Sequence, residues 1–207
     1  MRALFLIFTF CLGILSPGFA GQEKDREVSV LSESVGTVVT FKAKNKTGQY
    51  IIENKKGVYK NKSGDFQMSI QYDEKKDLCI IEVKGKTEGW VAVGFGQTKM
   101  MKDAEIIIGY VKEGKPALFH HYATGWVKHE PIEKLDKNAQ KDTLKVIKAE
   151  EKDGWTTITF SRPVGLKGDY FKDLRSGKMI NFMYSLGKDD SLMKKHFRRG
   201  EIKIKLP

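Results

Sequence analysis

Cysteine is almost absent from this chain: 207 residues hold two, Cys11 and Cys79. Cys11 falls inside MRALFLIFTFCLGILSPGFA, which has one basic residue, an apolar run of about a dozen and small residues at Gly18 and Ala20. That pattern predicts a secretory signal peptide over residues 1–20, cleaved after Ala20, since the run is too short to stop in a bilayer. Without the leader Cys79 is the one thiol, so no intramolecular disulfide can form and the fold must rest on its core. It lies in the apolar run DLCIIEVKG, which predicts a buried, inert thiol. Other signatures are missing too. There is no HExxH, no paired-cysteine zinc site, no GxSxG elbow and no GxxxxGK[ST] phosphate loop, which makes hydrolysis a poor assignment. CxxCH is also absent, so any haem would be held without covalent links.

Charge of one sign is plentiful. Lys and Arg total 37 against 26 Asp and Glu, a net charge of +11 that becomes +10 when Arg2 leaves with the leader. An exported chain this basic keeps itself soluble, and it is suited to docking an acidic redox protein or an anionic membrane face. Nucleic acid is disfavoured, because export separates the chain from it and no basic-aromatic motif is present. The remaining length suits one domain.

Residues 21–64 are rich in Lys, Glu and Gly with short β-branched runs, and are expected to be an N-terminal extension or an edge hairpin. Within them Asn45 and Asn61 begin sequons that matter only in a eukaryotic secretory route. From residue 65 the pattern is regular: FQMSIQY, LCIIEVKG, GWVAVGFG, EIIIGYV, PALFHHYA, LKVIKAEE, WTTITF, MINFMYSL and EIKIKL, separated by turns such as KEGK and EKDG. Ile202, Ile204 and Leu206 alternate with Lys203 and Lys205, the mark of a half-buried strand, and Thr156, Ile158 and Phe160 form a second inward set. DDSLMKKHFRR is the one stretch expected to form a short helix. About nine or more strands at this spacing predict an all-β protein, an antiparallel β-sandwich.

Soft and imidazole donors stand in loops. Met100 and Met101 precede EIIIGYV, and His196 precedes EIKIKL. If the two loops meet at one end of the sandwich, a thioether and an imidazole could face each other across a flat cofactor.

The run GWVAVGFGQTKMMKDAEIIIGYV resembles the core signature of the DOMON family, in which a GW-apolar-GFG strand leads through Met-x-x-Ala-acid into an apolar strand. Met101, Ala104 and Glu105 fall on that pattern, WTTITFSRPV resembles the family's T-apolar-F-x-R-P strand ending, and His196 with Gly200 resembles its His-x-x-x-Gly strand. The resemblance covers residues 65–207 and implies an immunoglobulin-like β-sandwich that binds haem or sugar. Its cytochrome members imply a non-covalent b haem with Met101 and His196 as axial ligands. Enzyme subunits of the family in which a lysine replaces the histidine make Lys194 or Lys195 alternatives. By position in the sequence, Met100 and His121 are the reserve donors. A Met/His pair raises the reduction potential and fills both axial positions, so the implied role is one-electron transfer to a redox partner and no catalysis. Phe95, Phe182, Phe197 and Met193 are the expected walls, and Arg198 with Arg199 the expected propionate partners. Met179, Met183 and Met193 are otherwise most simply core, and Asp103 a residue that ends its loop by local bonding. Two other readings stand beside this one: a haem-free sugar or small-ligand module using Trp90, Trp126 or Trp155, and a haem-bearing, non-catalytic subunit of a periplasmic oxidoreductase. The expected location is secreted, and periplasmic if the cell is bacterial.

Overall fold

The computed structural model describes residues 57–207 in full and, before them, only the backbone of strands β1 (Val30–Leu31), β2 (Val38–Lys42), β3 (Thr47–Glu53) and the start of β4 (Lys56–Lys60). The leader and Asn45 lie outside the described residues. The strands that follow are β5 (Phe66–Asp73), β6 (Leu78–Gly85), β7 (Val91–Phe95), β8 (Glu105–Lys112), β9 (Lys115–Tyr122), β10 (Glu130–Pro131), β11 (Lys145–Lys152), β12 (Trp155–Pro163), β13 (Met179–Leu186) and β14 (Arg198–Lys205). A single four-residue helix, α1 (Ile132–Leu135), interrupts them among the described residues.

Two antiparallel sheets form, an eight-stranded one in the order β1-β2-β3-β4-β5-β6-β12-β11 and a six-stranded one in the order β10-β9-β8-β7-β13-β14. This is the expected all-β sandwich. Its core is built by alternation: Phe66, Met68 and Ile70 of β5, Ile81 and Val83 of β6, and Ile158 and Phe160 of β12 meet Val91, Val93 and Phe95 of β7, Ile107 of β8 and Phe182 and Tyr184 of β13. Phe66 stacks on Tyr184 with ring centroids 4.0 Å apart. Ile202, Ile204 and Leu206 are buried and the lysines between them exposed, and Thr156, Ile158 and Phe160 all point inward, as the pattern predicts.

Ahead of residue 65, β4 pairs with β5 and Tyr59 is buried in the core. Asn61 is buried as well. Its amide donates to the hydroxyl oxygens of Ser63 (3.0 Å) and Tyr184 (2.8 Å), so this sequon offers no accessible acceptor nitrogen. The helix expected in DDSLMKKHFRR is not formed: tertiary ties hold that segment in turns, since the Trp90 N–H donates to the Asp189 carbonyl and the Ser191 N–H to the Asp189 carboxylate. Cys79 is buried and its thiol donates to the Arg162 carbonyl at 3.3 Å. Burial pushes that thiol up to about 11.

Candidate functional site

The outer face of the six-stranded sheet is apolar as well as the inner one. Because alternate residues point to opposite faces, Ala92 and Gly94 of β7 and Ile106 and Ile108 of β8 turn away from the core and join Trp90, Ala104 and Ala123 in a second cluster. These small and branched side chains floor a cavity of about 490 Å³. Gly94 keeps that floor low: a Cβ there would collide with the Met183 side chain, which lies across it.

Three loops wall the cavity. The connection between β9 and β10 supplies Trp126, Val127 and His129, and the other two supply Met101 and His196. In the first, between β7 and β8, Lys99 and Lys102 pair as a bridge and the Thr98 N–H donates to the Lys102 carbonyl at 2.9 Å, so Met100 and Met101 occupy the corners of a tight turn. Met100 sits at φ 54 and Asp103 at φ 65, left-handed backbone that non-glycine residues seldom adopt outside constrained loops. The Asp103 carboxylate accepts from the Thr98 hydroxyl at 2.6 Å, and the Asp103 N–H donates to the Ala123 carbonyl at 3.0 Å. Thus the turn is held from both sides. Both thioethers line the cavity, with Met101 packed on the outer cluster.

The second loop, between β13 and β14, contributes Leu192, Met193, Lys194, Lys195 and His196. It does not meet the first at one end of the sandwich. Phe182 pairs with Phe95 and Leu186 with Val91, so the Met101 loop leaves one end of the sheet and the His196 loop the other, about 13 Å apart along the strands. The two fold over the outer face from opposite ends and Met101 and His196 line one space above it. Burial, then the Arg199 and Lys195 charges, hold the His196 imidazole below its ordinary range, which favours the neutral ring.

Beneath the first loop lies a charged knot. Glu105 and Arg162 are fully buried, joined by Nε to Oε1 and Nη2 to Oε2 contacts of 2.7 Å each. The Lys172 N–H (2.6 Å) and His120 Nε2 (2.7 Å) complete the shell of Glu105, and His120 Nδ1 meets the Thr143 hydroxyl at 2.8 Å. Burial alone would raise the Glu105 carboxyl; the Arg162 guanidinium and these bonds overcome it and hold it at about 2. On the opposite face of β9, His121 and His129 share an Nδ1···Nδ1 contact of 2.8 Å. Burial and the His129 charge press His121 down to about 4, and burial lowers His129.

The profile of the DOMON domain family matches residues 62–187. This chain belongs to the DOMON family. Among solved structures, the DOMON chain is similar to the cytochrome b domain of pyranose dehydrogenase from Coprinopsis cinerea, at 12% identity and a TM-score of 0.53 over 76% of this chain and 81% of that one. It is also similar to the cytochrome domain of Myriococcum thermophilum cellobiose dehydrogenase, at 10% identity and a TM-score of 0.53 over 84% of this chain and 90% of that one. At such identities the likeness is one of fold. No curated protein sequence matches the chain.

Several sequence-derived positions of the DOMON domain need correction. Phe95 and Phe182 are 0% exposed within the inter-sheet core and do not wall the cavity, because they sit on the inward phase of their strands. Phe197 packs against that same core. Arg198 faces inward and pairs with Asp65 at 2.9 Å, so among the two arginines it is Arg199, one residue on and on the other face, that lines the cavity. His121 is engaged by His129 and is not among the lining residues; His129 is. Met183 floors the cavity, Met179 is 49% exposed and Met193 95%, so none of the three belongs to the core. Asp103 bonds beyond its own backbone. Of the tryptophans, Trp90 and Trp126 line the cavity, while Trp155 lies under Lys84 on the other sheet. Sequence reading missed Glu105 and Arg162 as partners. Their signal was the one acid of β8 and the one base of β12, each beside apolar or neutral residues.

The donor set fits a b haem. The cavity falls within the ~300–1,000 Å³ of small-molecule and cofactor sites. It has an apolar floor, a thioether and a neutral imidazole from opposite walls, and Arg199 with lysines near its rim for carboxylates.

Proposed function

We propose that this DOMON domain is a b-type cytochrome that passes single electrons, with Met101 and His196 as the axial ligands of a non-covalent haem. The observation that carries the reading is that loops from opposite ends of the sheet bring Met101 and His196 to the same apolar cavity, which Met100, Met183, Met193 and His129 also line. Membership of the family and a fold shared with cytochrome domains support it. The group itself supplies a reversible one-electron couple, and the chain's residues do the rest. Met101 and His196 would hold the iron, and a thioether donor would favour its ferrous state, which suits electron transfer. The floor of Ala92, Gly94, Ile106 and Ile108 excludes water, and Arg199 neutralises carboxylate at the edge. The domain is then a carrier that serves a catalyst elsewhere, alone or as a subunit, at a redox partner whose acidic face its positive charge would attract.

The test is the visible spectrum of the protein, oxidised and dithionite-reduced, beside Met101→Ala and His196→Ala. Sharp low-spin bands that turn high-spin in both variants support the assignment; retention in His196→Ala with loss in Lys194→Ala or Lys195→Ala would move the ligand to a lysine. A protein that stays colourless after haem addition refutes the reading. The sugar-binding alternative then takes its place, because Trp126, 54% exposed on the cavity rim, is where a sugar ring would stack.

A further inference from the structure

Among the described residues, three large apolar side chains stand out at the mouth of the cavity: Trp126 at 54%, Val127 at 80% and Met193 at 95% exposure. They sit on loops from opposite ends of the sheet, so they flank the opening on both sides. Exposed apolar groups gathered at one opening mark a contact surface. A lysine accompanies each of them. Lys99 lies 4.8 Å from the Trp126 ring, Lys128 follows Val127, and Lys194 and Lys195 follow Met193. These lysine side chains are exposed, with Lys194 held by Asp189 at 2.6 Å and Lys128 by Glu130 at 3.4 Å.

We propose that the mouth of this cavity docks on an anionic phospholipid surface. Charge decides against a second copy of the chain, since two molecules of net charge +11 repel. Shape decides against a rigid protein partner, because side chains 80% and 95% exposed have little of their own surface around them and would each need a matching hole. A lipid interface accepts such tips independently. Tryptophan settles at the headgroup level, valine and methionine enter the acyl boundary, and lysine stems lie along the apolar groups with their ammonium heads toward phosphate. This inference does not depend on what fills the cavity. It adds to the electron-transfer reading that the partner reached through this mouth is one held at the same membrane.

The test is sedimentation of the protein with vesicles of phosphatidylcholine alone and of phosphatidylcholine with phosphatidylglycerol, at low and high salt, following tryptophan emission. The expected result is binding to the anionic vesicles with a blue shift that Trp126→Ala abolishes, loss of binding with salt, and at least tenfold weaker partition of the Val127→Asp/Met193→Asp variant. Each of Lys99→Gln, Lys128→Gln, Lys194→Gln and Lys195→Gln should weaken partition about fivefold. All these sites are exposed, and unchanged protection of Cys79 against thiol reagent shows that a variant is folded. No binding at low salt overturns the proposal, as does undiminished binding of the double variant. Retention on polyglutamate without vesicle binding also overturns it, and assigns the face to an acidic protein.

Discussion

Replacing Glu105 by glutamine takes the carboxylate away from Arg162, whose side chain is 0% exposed and cannot recover solvation in place. Two routes give the size of the loss. Breaking a buried ion pair from one side costs ~3–5 kcal/mol. Independently, holding the carboxyl at about 2 instead of its ordinary 4.5 corresponds to about 3 kcal/mol of preferential stabilisation of the anion in the folded state. The agreement follows from the geometry, since the four contacts to Glu105, from Arg162, Lys172 and His120, all favour the charged form. At ~2–4 °C per kcal/mol for a domain of this size, Glu105→Gln should melt about 6–20 °C below the parent in calorimetry at pH 7. The pH dependence has a defined sign. A depressed carboxyl contributes fully above 4.5 and loses its contribution as pH falls toward 2, so the variant should lack that acid limb. Glu105→Leu with Arg162→Met removes both charges and should recover most of the loss. A single variant within about 1 kcal/mol of the parent would refute the reasoning, because Arg162 would then be compensated by something other than this carboxylate.

His121 and His129 are both held below the ordinary imidazole range, so the fold favours their neutral forms and stability should fall as pH drops from 6.5 toward about 4; His121→Gln should flatten this limb in a pH series of urea midpoints. Cys79, buried and pushed up to about 11, should react with a thiol reagent at pH 8 only at the rate of unfolding, and rapid labelling of native protein would contradict the placement. Gly187→Ala should cost more stability than Gly94→Ala: its new Cβ meets the Trp90 ring, anchored through Nε1 to the Ser191 carbonyl at 3.2 Å, whereas at Gly94 it meets the flexible Met183. Met183 would then be driven into the cavity, so Gly94→Ala should remain folded while binding haem more weakly, read by haem titration.

The strands were legible wherever one face was polar. Ile202, Ile204 and Leu206 between lysines could be placed at once, and β14 folds that way. In β7 the sequence VAVGF is apolar on both faces, because one side packs in the core and the other floors the cavity; nothing in it says that Phe95 goes in and Gly94 out. Arg198 and Arg199 posed the same difficulty, since a shift of one residue exchanges their faces. Met101 and His196 could be marked as loop residues of unusual chemistry. Their approach from opposite ends follows from the antiparallel pairing of β13 with β7, a topological fact that no local pattern carries. The His121–His129 contact is likewise invisible, since eight residues and a change of direction separate the rings.

The opposed loops also bear on how the chain is tied together. A sandwich whose described residues hold a single, buried cysteine has no covalent strap between its distant parts. Any group gripped by both Met101 and His196 closes a loop of about 95 residues, and a cross-link of that span removes from the unfolded chain conformational freedom on the order of 4–5 kcal/mol. Here the brace would come from the bound ligand, joining the two ends of one sheet face as a tie-rod joins two walls.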